Sequence, residues 1–152
     1  LKHLGHIWPL TLTRVYVGWI FLSAGIKKFK GGWLDSSIVV ETVNKWIAGG
    51  TTHPTYTHFL QDYVVPHWKV FSYVLVGGEI LVGAFLILGF MVRPMTLLAI
   101  FFSFNFMLAG ASESVAFNQL LIVINVTMFI IGAGRAVGLD YYFYKRVRGI
   151  WW

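Results

Sequence analysis

Apolar residues gather into four runs, at 7–26, 70–92, 95–111 and 115–133, and the polar residues inside them mostly recur at helical spacing. At about 1.5 Å rise per residue, runs of roughly 17–23 residues span or nearly span a hydrocarbon core about 30 Å thick. The pattern predicts an all-α membrane protein, a four-transmembrane-helix bundle forming a single domain over 1–152. The connection of some 40 residues between the first two helices is the only spare length. Within it, 35–48 opens on Asp35 and Ser36 as capping residues and stops at Gly49-Gly50, with Ile38, Val39, Val43, Trp46 and Ile47 broadly on one face. A second short helix is predicted over 56–65, before Pro66. Both are expected to be amphipathic and to lie on the membrane surface or fold over the bundle mouth. The tail at 140–152 mixes aromatic residues with cations, as an interfacial anchor does.

Ionisable groups inside a bilayer normally face protein or water, which puts Arg14 and Glu79 first among candidate functional residues. At 100° per residue, Arg14, Gly18, Gly25 and Lys28 share an arc of about 80°, and Glu79 and Gly83 one of about 40°. Small residues on such stripes let a neighbouring helix come close. Asn105, Ala109 and Ser112 mark the third helix, and Asn118, Asn125 and Gly132 the fourth. Arg14 and Glu79 are the natural ion pair, although Arg14 lies roughly 10 Å in from one side and Glu79 near mid-membrane. The stripes read either as interhelical glue or as a polar pocket of Arg14, Glu79, Asn105 and Asn125. Such a pocket could hold a quinone headgroup, with Glu79 exchanging a proton and an asparagine orienting a carbonyl. Lys27, Lys28 and Lys30 form a candidate anion-attracting mouth, or else plain contacts to lipid headgroups.

Composition changes this picture in two places. The hydrophobic share is 57% against 12% charged, which confirms the class. A net charge of +6 sits at the ends of apolar runs, so lipid headgroups account for it better than nucleic acid does. There is no cysteine, which removes thiol catalysis, disulfides and iron–sulfur ligation. His3 and His6 lie near an interface, and His53, His58 and His67 lie in the loop without a carboxylate at ligand spacing, so neither bis-histidine haem nor another metal site is expected. No nucleophilic triad or phosphate loop is present, and Gly132-Ala133-Gly134-Arg135 opens no strand–turn–helix. The first run lacks a small-residue cleavage site and reads as a retained helix; a first residue of Leu leaves room for residues upstream. With alternating helices, six Lys or Arg on the side of the termini face five on the loop side. The long loop tips the termini weakly to the cytoplasm.

Three segments carry a resemblance: Arg14 to Phe29 with Gly18, Gly25 and Lys27; Gly78-Glu79 through Gly83 to Gly89 and Arg93; and Gly132, Gly134, Arg135, Gly138 and Asp140. In order and spacing they resemble the DoxX/DoxD family, and the long loop with Trp33 and 59–68 resembles its DoxD branch. The resemblance implies a four-helix bundle in a prokaryotic plasma membrane, both termini cytoplasmic. It also implies a membrane subunit of a thiosulfate:quinone oxidoreductase working with a partner, DoxA. Arg14, Glu79, Arg93, Gly132, Gly134, Arg135 and Asp140 are motif positions without assigned roles. Two functions follow: a redox-complex subunit that passes electrons from thiosulfate to quinone, or a non-catalytic accessory subunit packed against a larger respiratory or photosynthetic complex. Expected partners are lipids and other membrane subunits, and the only expected ligands are quinone or lipid.

Overall fold

In a computed structural model, 9–50, 52–110, 115–135 and 138–146 are described, apart from the side chains of Arg135 and Tyr144. Helix α1, described over Pro9–Lys30, ends where Gly32 adopts φ 78°. It runs one turn beyond the expected end at 26. Lys27, Lys28 and Lys30 face the negative end of the helix dipole, and the next residues able to break the helix are Gly31 and Gly32. Lys28 is therefore a helical residue. The cover follows as α2, Ile38–Ala48, and α3, Pro54–Phe59, which widens into one π-helical turn at Leu60–Val64. Asp35 and Ser36 do not cap α2: Ser37 holds that place without a side-chain bond, and the Ser36 hydroxyl donates to the Gly32 carbonyl at 2.7 Å.

Helix α4, Trp68–Leu88, and α5, Val92–Ala109, divide the apolar sequence differently from expectation. The second run was expected to continue to 92, but Gly89 turns left-handed at φ 67° and Met91, a non-glycine residue, at φ 48°. The Asp140 carboxylate holds that turn by accepting from the Met91 and Val92 amides. Those donors would otherwise be the orphan amides at the start of α5. Helix α6 is Val115–Ile131, ended by Gly132 at φ 70°; a 3₁₀ turn, Ala133–Arg135, leads toward α7, Leu139–Arg146. No strand occurs among the described residues. Residues 7–8 of the first run, His3, His6, Ser112 and the tail beyond 146 lie outside the described residues.

Helices α1, α4 and α5 are long and apolar enough to cross a membrane, and α6 is a shorter apolar helix of 17 residues. Their outer faces expose large apolar side chains such as Leu12, Trp19, Leu81, Phe101 and Ile130. So much exposed apolar surface suits acyl chains and not water. Inside, α1 packs closely on α4 and α5 on α6, around Val17, Phe21, Val82, Leu86, Ala99 and Met128. The α1–α4 contact depends on missing side chains. A Cβ on Gly83 would collide with the Leu22 amide and lie 2.7 Å from the Gly18 carbonyl oxygen. Because backbone cannot yield as a side-chain tip can, Gly83→Ala is expected to destabilise the bundle by about 1–3 kcal/mol. A lowered unfolding midpoint in detergent checks this, and an unchanged midpoint refutes the close contact.

The cover sits at the end of the bundle opposite α7. Val39, Val43, Leu60 and Val64 are buried there with Ala109, flanked by Trp33, Trp46, Tyr56 and Phe71. Thr52 Oγ1 and the His53 amide donate to the Ala109 and Leu108 carbonyls at 2.9 and 3.0 Å, satisfying the last turn of α5.

Candidate functional site

Gly25 fixes which side chain meets Glu79. A Cβ on Gly25 would lie 3.2 Å from the Glu79 Cβ, so these residues share a level in the α1–α4 contact. Lys28 is one turn from that level, about 4.5 Å along the axis, and Arg14 is eleven residues away, about 16 Å. The Lys28 ammonium accordingly donates to Glu79 Oε1 at 2.5 Å. The expected Arg14–Glu79 pair does not form, because axial separation exceeds side-chain reach. Glu79 is 1% exposed and the Lys28 side chain 19%. Lys28 also lies 5.6 Å from the Trp33 ring centre and 5.3 Å from that of Phe106. It is thus turned inward, away from the mouth it was expected to form with Lys27 and Lys30, which stay exposed.

Glu79 and Lys28 line a cavity of about 300 Å³. Ser103 and Asn118 supply further polar groups, and Phe21, Trp33, Trp46, Phe106, Phe117 and Leu121 supply apolar walls. Glu79 Oε2 and Ser103 Oγ are buried with no hydrogen-bond partner among the described residues. A buried oxygen left without a donor is destabilising unless a ligand or water satisfies it. Asn118 belongs to the stripe expected for the fourth helix, whereas a lone serine in an apolar run, such as Ser103, carries little signal by itself.

Asn105 and Asn125 lie elsewhere. Asn105 Oδ1 accepts from the Tyr56 hydroxyl at 2.5 Å while its amide nitrogen donates to the Phe101 carbonyl, which ties α3 to α5. Asn125 is fully buried two turns along α6 from Asn118, with its amide nitrogen donating to the Leu121 carbonyl at 2.8 Å. Burial pushes the Tyr56 phenol above its usual value of about 10. A raised folded value means stability is fully present below about pH 10 and is lost as pH rises toward the folded value. Tyr56→Phe is expected to flatten this alkaline loss in an unfolding titration while lowering stability at neutral pH by about 1 kcal/mol. An alkaline limb unaltered by Tyr56→Phe would refute it.

Arg14 belongs to a second cluster at the other end of the bundle. Its Nη1 donates to the Ala133 carbonyl at 3.1 Å, and the Asp140 carboxylate acts on it electrostatically. Asp140 Oδ1 accepts from Met91 N at 2.7 Å, Oδ2 accepts from Val92 N at 2.9 Å, and the Asp140 amide donates to the Gly89 carbonyl. Glycines make room for this clasp. A Cβ on Gly89 or Gly138 would lie 2.6 or 2.9 Å from Arg14 Nη1, and one on Gly134 would collide with the Asp140 carboxylate. Arg93 lies in the first turn of α5, 6.0 Å from the Phe129 ring centre.

A family model described as TQO small subunit DoxD matches residues 8–151, nearly the whole chain. The chain belongs to the DoxD family. No solved structure matches it. In this DoxD chain the motif positions have separated into two clusters. Arg14, Gly134 and Asp140 close the clasp, Gly132 ends α6 and Glu79 faces the cavity. The Arg135 side chain lies outside the described residues.

Proposed function

We propose that the protein is the membrane subunit of a redox complex whose Glu79 cavity takes a quinone headgroup and exchanges protons with it. One observation carries the reading: a buried carboxylate, held at one oxygen by Lys28, leaves the other without a partner among the described residues, in an aromatic-walled cavity. Pockets for small ligands are concave and mostly apolar with a few convergent polar groups, and run from about 300 Å³ upward. The residues fit a neutral ring bearing carbonyl groups: Ser103 and Asn118 can donate to a carbonyl, and the flanking indoles and phenyl rings can stack on its faces. A quinone bound there would accept two electrons and two protons. Glu79 Oε2 would take up a proton and pass it to a carbonyl oxygen, once for each electron, returning each time to the carboxylate that Lys28 fixes, while the apolar walls keep bulk water from the ring.

The electrons would come from thiosulfate at the loop side, drawn by exposed Lys27 and Lys30, through a partner subunit. With no cysteine in the chain, no thiol carrier can be supplied from within. The same fact favours the second reading, a non-catalytic accessory subunit of a larger respiratory or photosynthetic complex. We place the single domain as four crossings, with α6 as the fourth and both termini in the cytoplasm of a prokaryote. The cations of α7, Lys145 and Arg146, support that orientation.

The test is purification from native membranes followed by thiosulfate-dependent quinone reduction. The reading expects reduction by the purified complex. A stoichiometric place at the rim of a large assembly with no quinone binding would establish the accessory role instead.

A further inference from the structure

Beside the Glu79 cavity lies a second, partly open chamber of about 200 Å³, lined by residues of α2, α3, the π-helical turn, α4 and α5 together with Trp33. The two share Trp33, Thr42, Trp46 and Phe106 as walls, so they abut under the cover. Their chemistry differs. The first contains oxygens of Glu79 and Ser103 that have no hydrogen-bond partner among the described residues. The second has polar groups only on Thr42, Tyr56 and Asn105 beside the shared indoles, and these three are engaged within the protein. Thr42 Oγ1 donates to the Ile38 carbonyl, and Tyr56 donates to Asn105, whose amide donates to the Phe101 carbonyl. Nothing in that chamber calls for a polar ligand. Its rim includes Val74 and Phe101, 57% and 58% exposed on faces turned to lipid.

We infer that the second chamber binds the hydrocarbon tail of an amphiphile whose ring head occupies the Glu79 cavity, and that the tail leaves past Val74 and Phe101 into the bilayer. The inference rests on the reading of the Glu79 cavity as a ligand site. Three things support it: shared walls, satisfied polar groups in one chamber against unsatisfied ones in the other, and an apolar rim on the lipid face. The polar cavity alone is at the small end of ligand sites, and the two together fall within the usual range. A phospholipid fits poorly as the common occupant. Its charged headgroup belongs at the membrane surface, whereas the Glu79 cavity is walled mostly by aromatic and aliphatic side chains and its cation, Lys28, is already paired with Glu79.

The test compares a quinone bearing a ten-carbon alkyl tail with the same ring lacking it. Each is titrated against the full chain with its partner subunits in lipid nanodiscs, read by quenching of tryptophan fluorescence. Leu75→Trp fills the chamber, and Val74→Trp crowds its rim from an exposed position that leaves the core untouched. In both variants the tailed quinone is expected to bind about tenfold more weakly, about 1.4 kcal/mol, and the tail-free ring within twofold of wild type. Equal effects on both probes, or on neither, overturn the tail chamber while leaving the Glu79 site standing. A phospholipid retained by the wild type and lost from Val74→Trp, by mass spectrometry, overturns it in favour of a structural lipid. A tail-free ring that fails to bind wild type, or binds without competition from the tailed quinone, removes the Glu79 site and this inference with it.

Discussion

Asp140→Ala is expected to lower stability by about 3–5 kcal/mol, the loss typical when a buried charge is left without its counter-charge. Two effects combine. The Met91 and Val92 amides lose the carboxylate that satisfies them, which alone is comparable to losing a helix cap, about 1–2 kcal/mol. Arg14, 2% exposed, also loses the negative charge that acts on it. Asp140→Asn separates the two: it keeps one acceptor for the turn, presents an amide N–H where Val92 N–H needs an acceptor, and removes the charge. Its loss should be smaller than that of the alanine variant. A cycle with Arg14→Leu measures the coupling, which should exceed about 1 kcal/mol; additive losses would show that the residues act independently. Denaturant unfolding in mixed micelles provides the readout.

Glu79→Gln is expected to cut quinone reduction by about 10²–10⁴-fold, the usual contribution of a positioned proton donor or acceptor. Shape is conserved and the amide oxygen can still accept from Lys28, so folding and quinone affinity should stay close to wild type. Lys28→Met should behave differently. Lys28 is partly exposed and, if it loses its partner, can turn toward the loop-side surface, whereas Glu79 at 1% exposure has nowhere to go. The lysine variant should therefore lose about 3 kcal/mol, more than the glutamine variant, and Lys28→Met with Glu79→Gln should recover most of that loss. Turnover unchanged in Glu79→Gln would exclude Glu79 from proton exchange.

Helical periodicity and the glycine and proline punctuation made the apolar helices legible, along with a folded cover between the first two. Boundaries moved where tertiary contacts intervene. The α4–α5 turn sits at Gly89–Met91 because Asp140, some fifty residues later, grips two amides there, and no local pattern at 89–92 records that grip. Glu79 stood out because a carboxylate in an apolar run has few benign explanations. Its partner did not, since a helical arc gives azimuth without interhelical register. Arg14 and Lys28 share an azimuth, and only the level set by Gly25 against Glu79 chooses between them. The same ambiguity hid the difference between Asn118, which reaches the cavity, and Asn125, two turns away. The motif glycines were visible, yet their purpose, clearance for Arg14 and Asp140, depends on segments brought together from opposite ends of the chain.

Zero-length cross-linking with an apolar carbodiimide probes the Lys28–Glu79 arrangement and the cavity beside it at once. The reagent activates a carboxyl as an O-acylisourea, and an amine in contact with it closes an amide bond while the reagent leaves as its urea. Peptide mapping is expected to find Lys28 joined to Glu79, at a yield that falls as quinone fills the cavity. Absence of that amide, or an amide formed equally fast at saturating quinone, would contradict the account.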